Sequence, residues 1–198
     1  MYEKLKLAIE EDVKKINKAI DAHVSSLGTN AATVGLVEAQ KYSLTAGGKR
    51  IRPLIALWFS RLFGGSGDCA MSLAVALEMI HTASLIHDDL PCIDNDDLRR
   101  GMPTSHKVFG ESGALLAADA LFMDAFSVIS EDERIPESAR LWAVRVLSRA
   151  TGTLGLVGGE YIDIEGEGRS LTLSELEIMD KMKTSALIVA AAELGAIA

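Results

Sequence analysis

The sequence predicts an all-α protein. Apolar residues recur at steps of three and four along most of the chain, and no stretch alternates apolar and polar residues as a half-buried strand would. Aromatic residues make up only 5% of the chain and only four prolines interrupt it, while Ala, Leu, Ile and Met are abundant, a balance that favours helices. A length of 198 residues with 48% hydrophobic content can bury one sizeable core. No internal repeat or low-complexity linker divides it, so a single domain over residues 1–198 is expected.

The elements follow in order. Leu5, Ile9, Val13, Ile16, Ile20 and Val24 form one stripe with Glu10, Glu11, Lys14, Lys15 and Lys18 between them, which predicts an amphipathic first helix. A turn-rich break at 25–30 precedes a second helix over 33–45, stopped by Gly47-Gly48. Pro53 suits the first turn of a third helix and is expected to push Arg52 out of helical conformation. Lys49, Arg50 and Arg52 are thus expected in a short connector, which is either a positively charged interhelical loop or a diphosphate clamp. From Asp68 to Ile80 only Glu78 interrupts an apolar run, so the fourth helix is expected to be buried all round. Further helices are expected at 115–129, entered from a Gly110–Gly113 turn, from Pro136-Glu137 onward, and from the capping box Thr172–Glu175 to about Leu194. Gly152 to Gly159 reads as a glycine-rich loosening before Glu160, Asp163, Glu165 and Glu167.

The fourth helix delivers the richest chemistry. His81, Ser84 and Asp88 share one of its faces. Asp88, Asp89, Asp94, Asp96 and Asp97 then crowd into ten residues, followed by Arg99-Arg100. Clustered carboxylates repel one another unless a cation sits between them, and hard oxygen donors suit magnesium. Pro91 makes an unbroken helix unfavourable, and a stop there can return Asp94 toward Asp88. The expectation is a magnesium site for a phosphorylated ligand. Cys92 has no base partner in the pattern and reads as filler.

Bulk properties narrow the partners. A net charge of −8 argues against nucleic acid, which is bound through positive surface. No apolar run reaches the roughly 20 residues needed to span a bilayer, so the chain is not expected to cross a membrane. Cys69 and Cys92 make no disulfide framework, and the N-terminal residues carry no signal-like apolar core. A cytoplasmic location is expected.

These motifs together resemble the trans-prenyl diphosphate synthases, the farnesyl/geranylgeranyl diphosphate synthase family. The resemblance rests on Gly48-Lys49-Arg50-Ile51-Arg52-Pro53, His81, Asp88-Asp89-x4-Asp94 with Leu98-Arg99-Arg100-Gly101, Gly158-Gly159-Glu160 with Asp163, and Lys183-Thr184. They come in the family's order and cover nearly the whole chain. The resemblance implies a bundle of mostly antiparallel helices around a central apolar pocket. It also implies a magnesium-dependent prenyltransferase of isoprenoid biosynthesis, and a homodimer; the apolar helix at 115–129 is either the interface of that dimer or simple intramolecular core. Asp88 and Asp94, supported by Asp89, would hold Mg2+ on an allylic diphosphate (dimethylallyl, geranyl or farnesyl). Lys49, Arg52, His81 and Arg100 would bind isopentenyl diphosphate, and Arg99, Lys183 and Thr184 would contact the allylic diphosphate.

Ala83 and Ser84 lie about one turn before Asp88, where the resemblance places the gauge of product length. By that resemblance a small residue at 83 favours geranylgeranyl diphosphate or a longer product over the farnesyl one, unless Phe122 or Met123 supplies a floor. Glu160 departs from the Gln common in the family. The family's second Asp-rich segment does not follow Lys183-Thr184, so the chain is expected to be C-terminally incomplete and to have little activity alone. Two rival readings are a non-catalytic synthase-like subunit and a terpene cyclase, which has no need of the Lys49/Arg52 clamp.

Overall fold

The computed structural model describes residues 2–28 and 30–198; Met1, and Thr29 within the expected break, lie outside the described residues. The fold is all-α. Its helices are α1 (Tyr2–Ser26), α2 (Val34–Leu44), α3 (Ile51–Leu62), α4 (Ala70–Asp88), α5 (Ser105–Ser130), α6 (Glu137–Thr151), α7 (Leu156–Gly166), α8 (Leu173–Asp180) and α9 (Ala186–Ile197). A single π-helical turn, Lys181–Ser185, joins α8 to α9.

Everything is arranged about α4. This helix carries no charge from Ala70 to Leu77, and Leu73, Leu77, Met79 and Ile80 are fully buried. It packs chiefly against α5 and α3, with α1, α2 and α9 completing its surround. The α1 stripe is fully buried in this core only from Ile16 onward: Ile16, Ile20 and Val24 are buried, Ile9 and Val13 pack against it partly buried, and Leu5 is exposed. The start of α1 therefore extends beyond the core, although the periodicity begins earlier.

Four expectations about the order and bounds of the elements need correction. Arg52 lies inside the first turn of α3, because Arg50, in left-handed conformation (φ 51°), already serves as the N-cap. Pro53 then falls at the third helical position, where its missing N–H leaves no bond unmade. The helix expected from 115 begins at Ser105 and is kinked at Gly110 (φ 77°, ψ 163°). Gly158 and Gly159 are helical members of α7 and not a loosening. Lastly, a two-residue hairpin, β1 (Leu98–Arg99) with β2 (Met102–Pro103), interrupts the helices. Its turn residues Arg100 and Gly101 both have positive φ (55° and 81°), as a tight hairpin turn requires.

Two helices, Ala70–Asp88 and Ser105–Ser130, are long and apolar enough to cross a membrane by length and composition, contrary to the sequence expectation. α4 is mostly buried inside the molecule, which is what a core helix of this composition does. α5 divides its faces. Ala114, Ala117, Ala118, Leu121, Ala125 and Ile129 turn inward, while Leu115, Leu116 and Met123 are exposed.

Candidate active site

Two opposite electrostatic environments flank the last two turns of α4. The first is a cavity of about 550 Å³ walled by Gly48, Lys49, Arg52, Glu78, His81 and Arg100 among others. The 46–52 segment reaches it because Gly48 has φ 135°, and a side chain there would run into the Arg100 guanidinium. Arg100, sent back by the hairpin turn, donates to the carbonyl of Gly47. Lys49 is exposed at the rim.

The charges in this cavity are poorly neutralised. Burial drives the His81 pKa down to about 3, and Arg52, Arg100, Arg99 and Arg50 push it the same way, so the ring is neutral. Burial also lowers the pKa values of Arg52 and Arg100, with Glu78 as the anion that opposes the shift in both. Arg52 Nε is buried with no hydrogen-bond partner among the described residues. Such a set of donors is short of an anion.

The second environment is acidic. α4 ends at Asp88, and the chain wraps back through the Pro91 turn so that the amide of Asp94 donates to the Asp88 carbonyl at 2.9 Å. Asn95 takes left-handed conformation (φ 52°) to close this turn. The break expected at Pro91 thus returns Asp94 beside Asp88. Asp88 is pushed up to about 7 by burial first, then by the Glu160 carboxylate and by Asp94, with Lys183 opposing. Lys183 Nζ lies 2.6 Å from Asp163, 2.8 Å from Glu160 and 4.0 Å from Asp88. Burial works against the Lys183 charge, but its hydrogen bonds with Asp163 and Glu160 outweigh that and raise its pKa.

Local backbone design places this lysine. A side chain at Gly159 would collide with the backbone of Lys183, so the glycine lets α7 press directly on the π-helical turn. Asp163 and Glu160, both on α7, are thereby held against Lys183. Thr184 follows on the same turn and is exposed. π-helical turns inside helices are rare and often sit at functional sites.

The five acidic residues of the 88–97 segment separate into distinct roles. Asp89 is buried and turned to Arg99, whose Nε donates at 2.7 and 2.9 Å and whose Nη2 lies 2.6 Å away. Burial raises the Asp89 pKa, and the Arg99 bonds only partly offset it. Asp89 therefore orients Arg99. Asp97 pairs with Lys107 at 2.6 Å on the surface. Among the described residues, no three acidic, His or Cys side chains close round one point as a ready-made metal cage. Asp88 and Asp94 instead make an open oxygen wall whose repulsion is incompletely relieved. That donor set fits a hard divalent cation that keeps waters and takes further oxygens from a ligand.

Ala83 is fully buried in the core, whereas Ser84 is half-buried and its hydroxyl donates to the His81 carbonyl at 2.9 Å. Phe122 packs at 5.6 Å from His87, and Met123 is exposed, so Met123 forms no floor within this chain. Cys92 is exposed. The residues missed at the level of sequence are Glu78 and the contact of Glu160 with Lys183. The signal for Glu78 was present: it is the sole charge in a long apolar run.

Comparison with known proteins identifies the family of the chain. The family description "polyprenyl synthetase" matches residues 34–198. A farnesyl diphosphate synthase of Geobacillus stearothermophilus is 48% identical over 191 residues, covering 96% of this chain and 63% of that protein. A chloroplastic geranylgeranyl pyrophosphate synthase of Capsicum annuum is 44% identical over 194 residues, covering 97% of this chain and 52% of that protein. The crystal structure of an FPP/GFPP synthase from Zymomonas mobilis superposes with a TM-score of 0.93 at 38% identity, covering all of this chain and 71% of the other. The chain thus spans roughly half to two thirds of the curated relatives it matches. With five sixths of its length matched in sequence and its fold shared throughout, the chain belongs to the polyprenyl synthetase family.

Proposed function

We propose that this chain carries substrate-binding residues of a short-chain trans-prenyl diphosphate synthase, which joins isopentenyl diphosphate to an allylic diphosphate. The observation that carries the reading is the pairing of a cationic cavity at His81 with an acidic wall at Asp88. Seven helical residues separate them, about 10 Å of rise. One diphosphate is held by side chains alone, from Lys49, Arg52 and Arg100 with neutral His81 as a further donor. The other is held beside Asp88 and Asp94, with Arg99 and Lys183 at the same wall and Thr184 on the turn that carries Lys183. Magnesium bound there would neutralise the departing diphosphate and so favour ionisation of the allylic C–O bond. Arg99 and Lys183 add fixed positive charge where negative charge develops. The apolar helices on either side of α4 exclude water from the resulting cation. The double bond of isopentenyl diphosphate then attacks that cation, and the proton lost passes to the released diphosphate.

Product length and assembly belong to the same proposal. Relatives are named both for farnesyl and for geranylgeranyl products; the small Ala83 supports geranylgeranyl diphosphate here. Ala83→Tyr should shorten the main product, read by chromatography of the dephosphorylated alcohols. An unchanged distribution would remove Ala83 as the gauge. The exposed apolar residues of α5 support a homodimer, and a cytoplasmic setting suits its unpaired cysteines.

Calorimetry tests the central reading. Isopentenyl diphosphate should bind without magnesium and lose at least tenfold in affinity in Arg52→Ala. A bisphosphonate should bind only with magnesium and lose binding in Asp88→Asn. Failure of both ligands to bind, or indifference of the bisphosphonate to magnesium, overturns the reading.

A further inference from the structure

Arg50 is the cation of the 49–52 segment that does not serve the cavity as a free charge. Its side chain is 2% exposed and spends every nitrogen inside the protein. Nη1 lies 2.5 Å from Glu78 Oε1 on α4, Nε donates to Asn17 Oδ1 on α1 at 2.9 Å, and Nη2 donates to the Leu44 carbonyl closing α2 at 3.0 Å. Its own backbone, left-handed, starts α3. One guanidinium therefore fixes four helices relative to one another at the edge of the cationic cavity. Left-handed backbone is uncommon for a residue with a side chain and marks a site where the surroundings over-determine the conformation.

Glu78 is equally specific. It is 2% exposed and three residues before His81, hence on the same side of α4. It is also the anion that the half-buried Arg52 and the more exposed Arg100 feel. Engaged by Arg50, it leaves Lys49, Arg52 and Arg100 available to a ligand. Released, it would be drawn to those same cations.

We infer that Arg50 and Glu78 are positioning residues whose buried ion pair aims Lys49 and Arg52 into the cavity and withholds Glu78 from competing with the diphosphate bound there. A buried ion pair is a poor device for stability, because desolvation cancels most of its attraction. Its value here lies in fixing one arrangement of charges. The inference rests on the proposed metal-free diphosphate site and sharpens how that site is built.

The test is isopentenyl diphosphate binding without magnesium, measured by calorimetry on the full 198-residue chain. Arg50→Met, which frees Glu78, should weaken binding by at least tenfold. Arg50→Met with Glu78→Leu, which removes both charges, should recover part of that loss, since no freed carboxylate then competes. In both variants, magnesium-dependent bisphosphonate binding at the Asp88 side should stay within about threefold of the parent, a split that general destabilisation would not produce. Should Arg50→Met fail to fold, the double variant against Arg50→Lys decides, the latter keeping charge but losing the fork. Folded variants that bind isopentenyl diphosphate within twofold of the parent overturn the inference, as does equal loss at both sites. No binding by the parent chain is a separate result: it removes the diphosphate site itself.

Discussion

Glu160 on α7 carries a negative charge beside Lys183, and the consequence is visible in the partners of that lysine. The ammonium is shared between Glu160 and Asp163, with Asp88 just beyond. A diphosphate that seeks Lys183 must compete with two carboxylates. Glu160→Gln should therefore tighten magnesium-dependent bisphosphonate binding by roughly threefold to tenfold at low magnesium, the scale of a partly exposed ion pair of about 1 kcal/mol. Calorimetry across a magnesium series checks this; an affinity that does not move would mean Glu160 neither detains Lys183 nor repels the ligand. His81 makes a second prediction at this scale. Its pKa is about 3 in the folded chain, lowered chiefly by burial, against about 6.5 when unfolded. Between those values the unfolded chain holds the proton and the folded chain does not. Stability contributed through His81 is therefore complete above pH 6.5 and lost as pH falls toward 3. Denaturant midpoints measured from pH 7 to 4 should fall less steeply in His81→Gln than in the parent.

At the scale of the element, the π-helical turn and the hairpin deliver what helix periodicity could not announce. The α8–α9 region reads as one continuous helix from its capping box, and the capping box is present as expected, with the Thr172 hydroxyl accepting from the Glu175 amide at 3.3 Å. The turn at Lys181–Ser185 arises where α7 presses on the chain through Gly159. Gly159→Ala should cost about 1–3 kcal/mol by overpacking. Because it displaces the Lys183 backbone, it should also weaken magnesium-dependent bisphosphonate binding more than isopentenyl diphosphate binding. Thermal unfolding and the two binding constants check both parts. Arg99 and Arg100 show the same dependence on local geometry: adjacent in sequence, they are sent to Asp89 and to Gly47 by a two-residue turn.

For the whole molecule, the exposed side of α5 is the surface with an assignable consequence. Leu115, Leu116 and Met123 stand out from a helix whose opposite side lies in the core. Isolated exposed apolar residues are ordinary; Leu116 and Met123, seven residues apart on one side of α5, are the ones the proposed homodimer would cover. Leu116→Glu with Met123→Glu should shift the chain from dimer to monomer in sedimentation velocity while leaving its helical circular dichroism intact. A parent that sediments as a monomer at tens of micromolar would remove the homodimer from the proposal.

The sequence alone determined the all-α class, most helix positions, the burial of α4 and the return of Asp94 at Pro91, because each is written in local terms: periodicity, capping and the missing amide of proline. It also supplied the residue types of the site in an order that resembles one family. It could not show that Arg50 is buried against Glu78, that Asp89 orients Arg99, or that Glu160 detains Lys183. Each of those is a meeting of charges between separate elements, or between a helix end and a hairpin. The sign of the local potential depends on which side chains are desolvated together, and only the tertiary structure decides that.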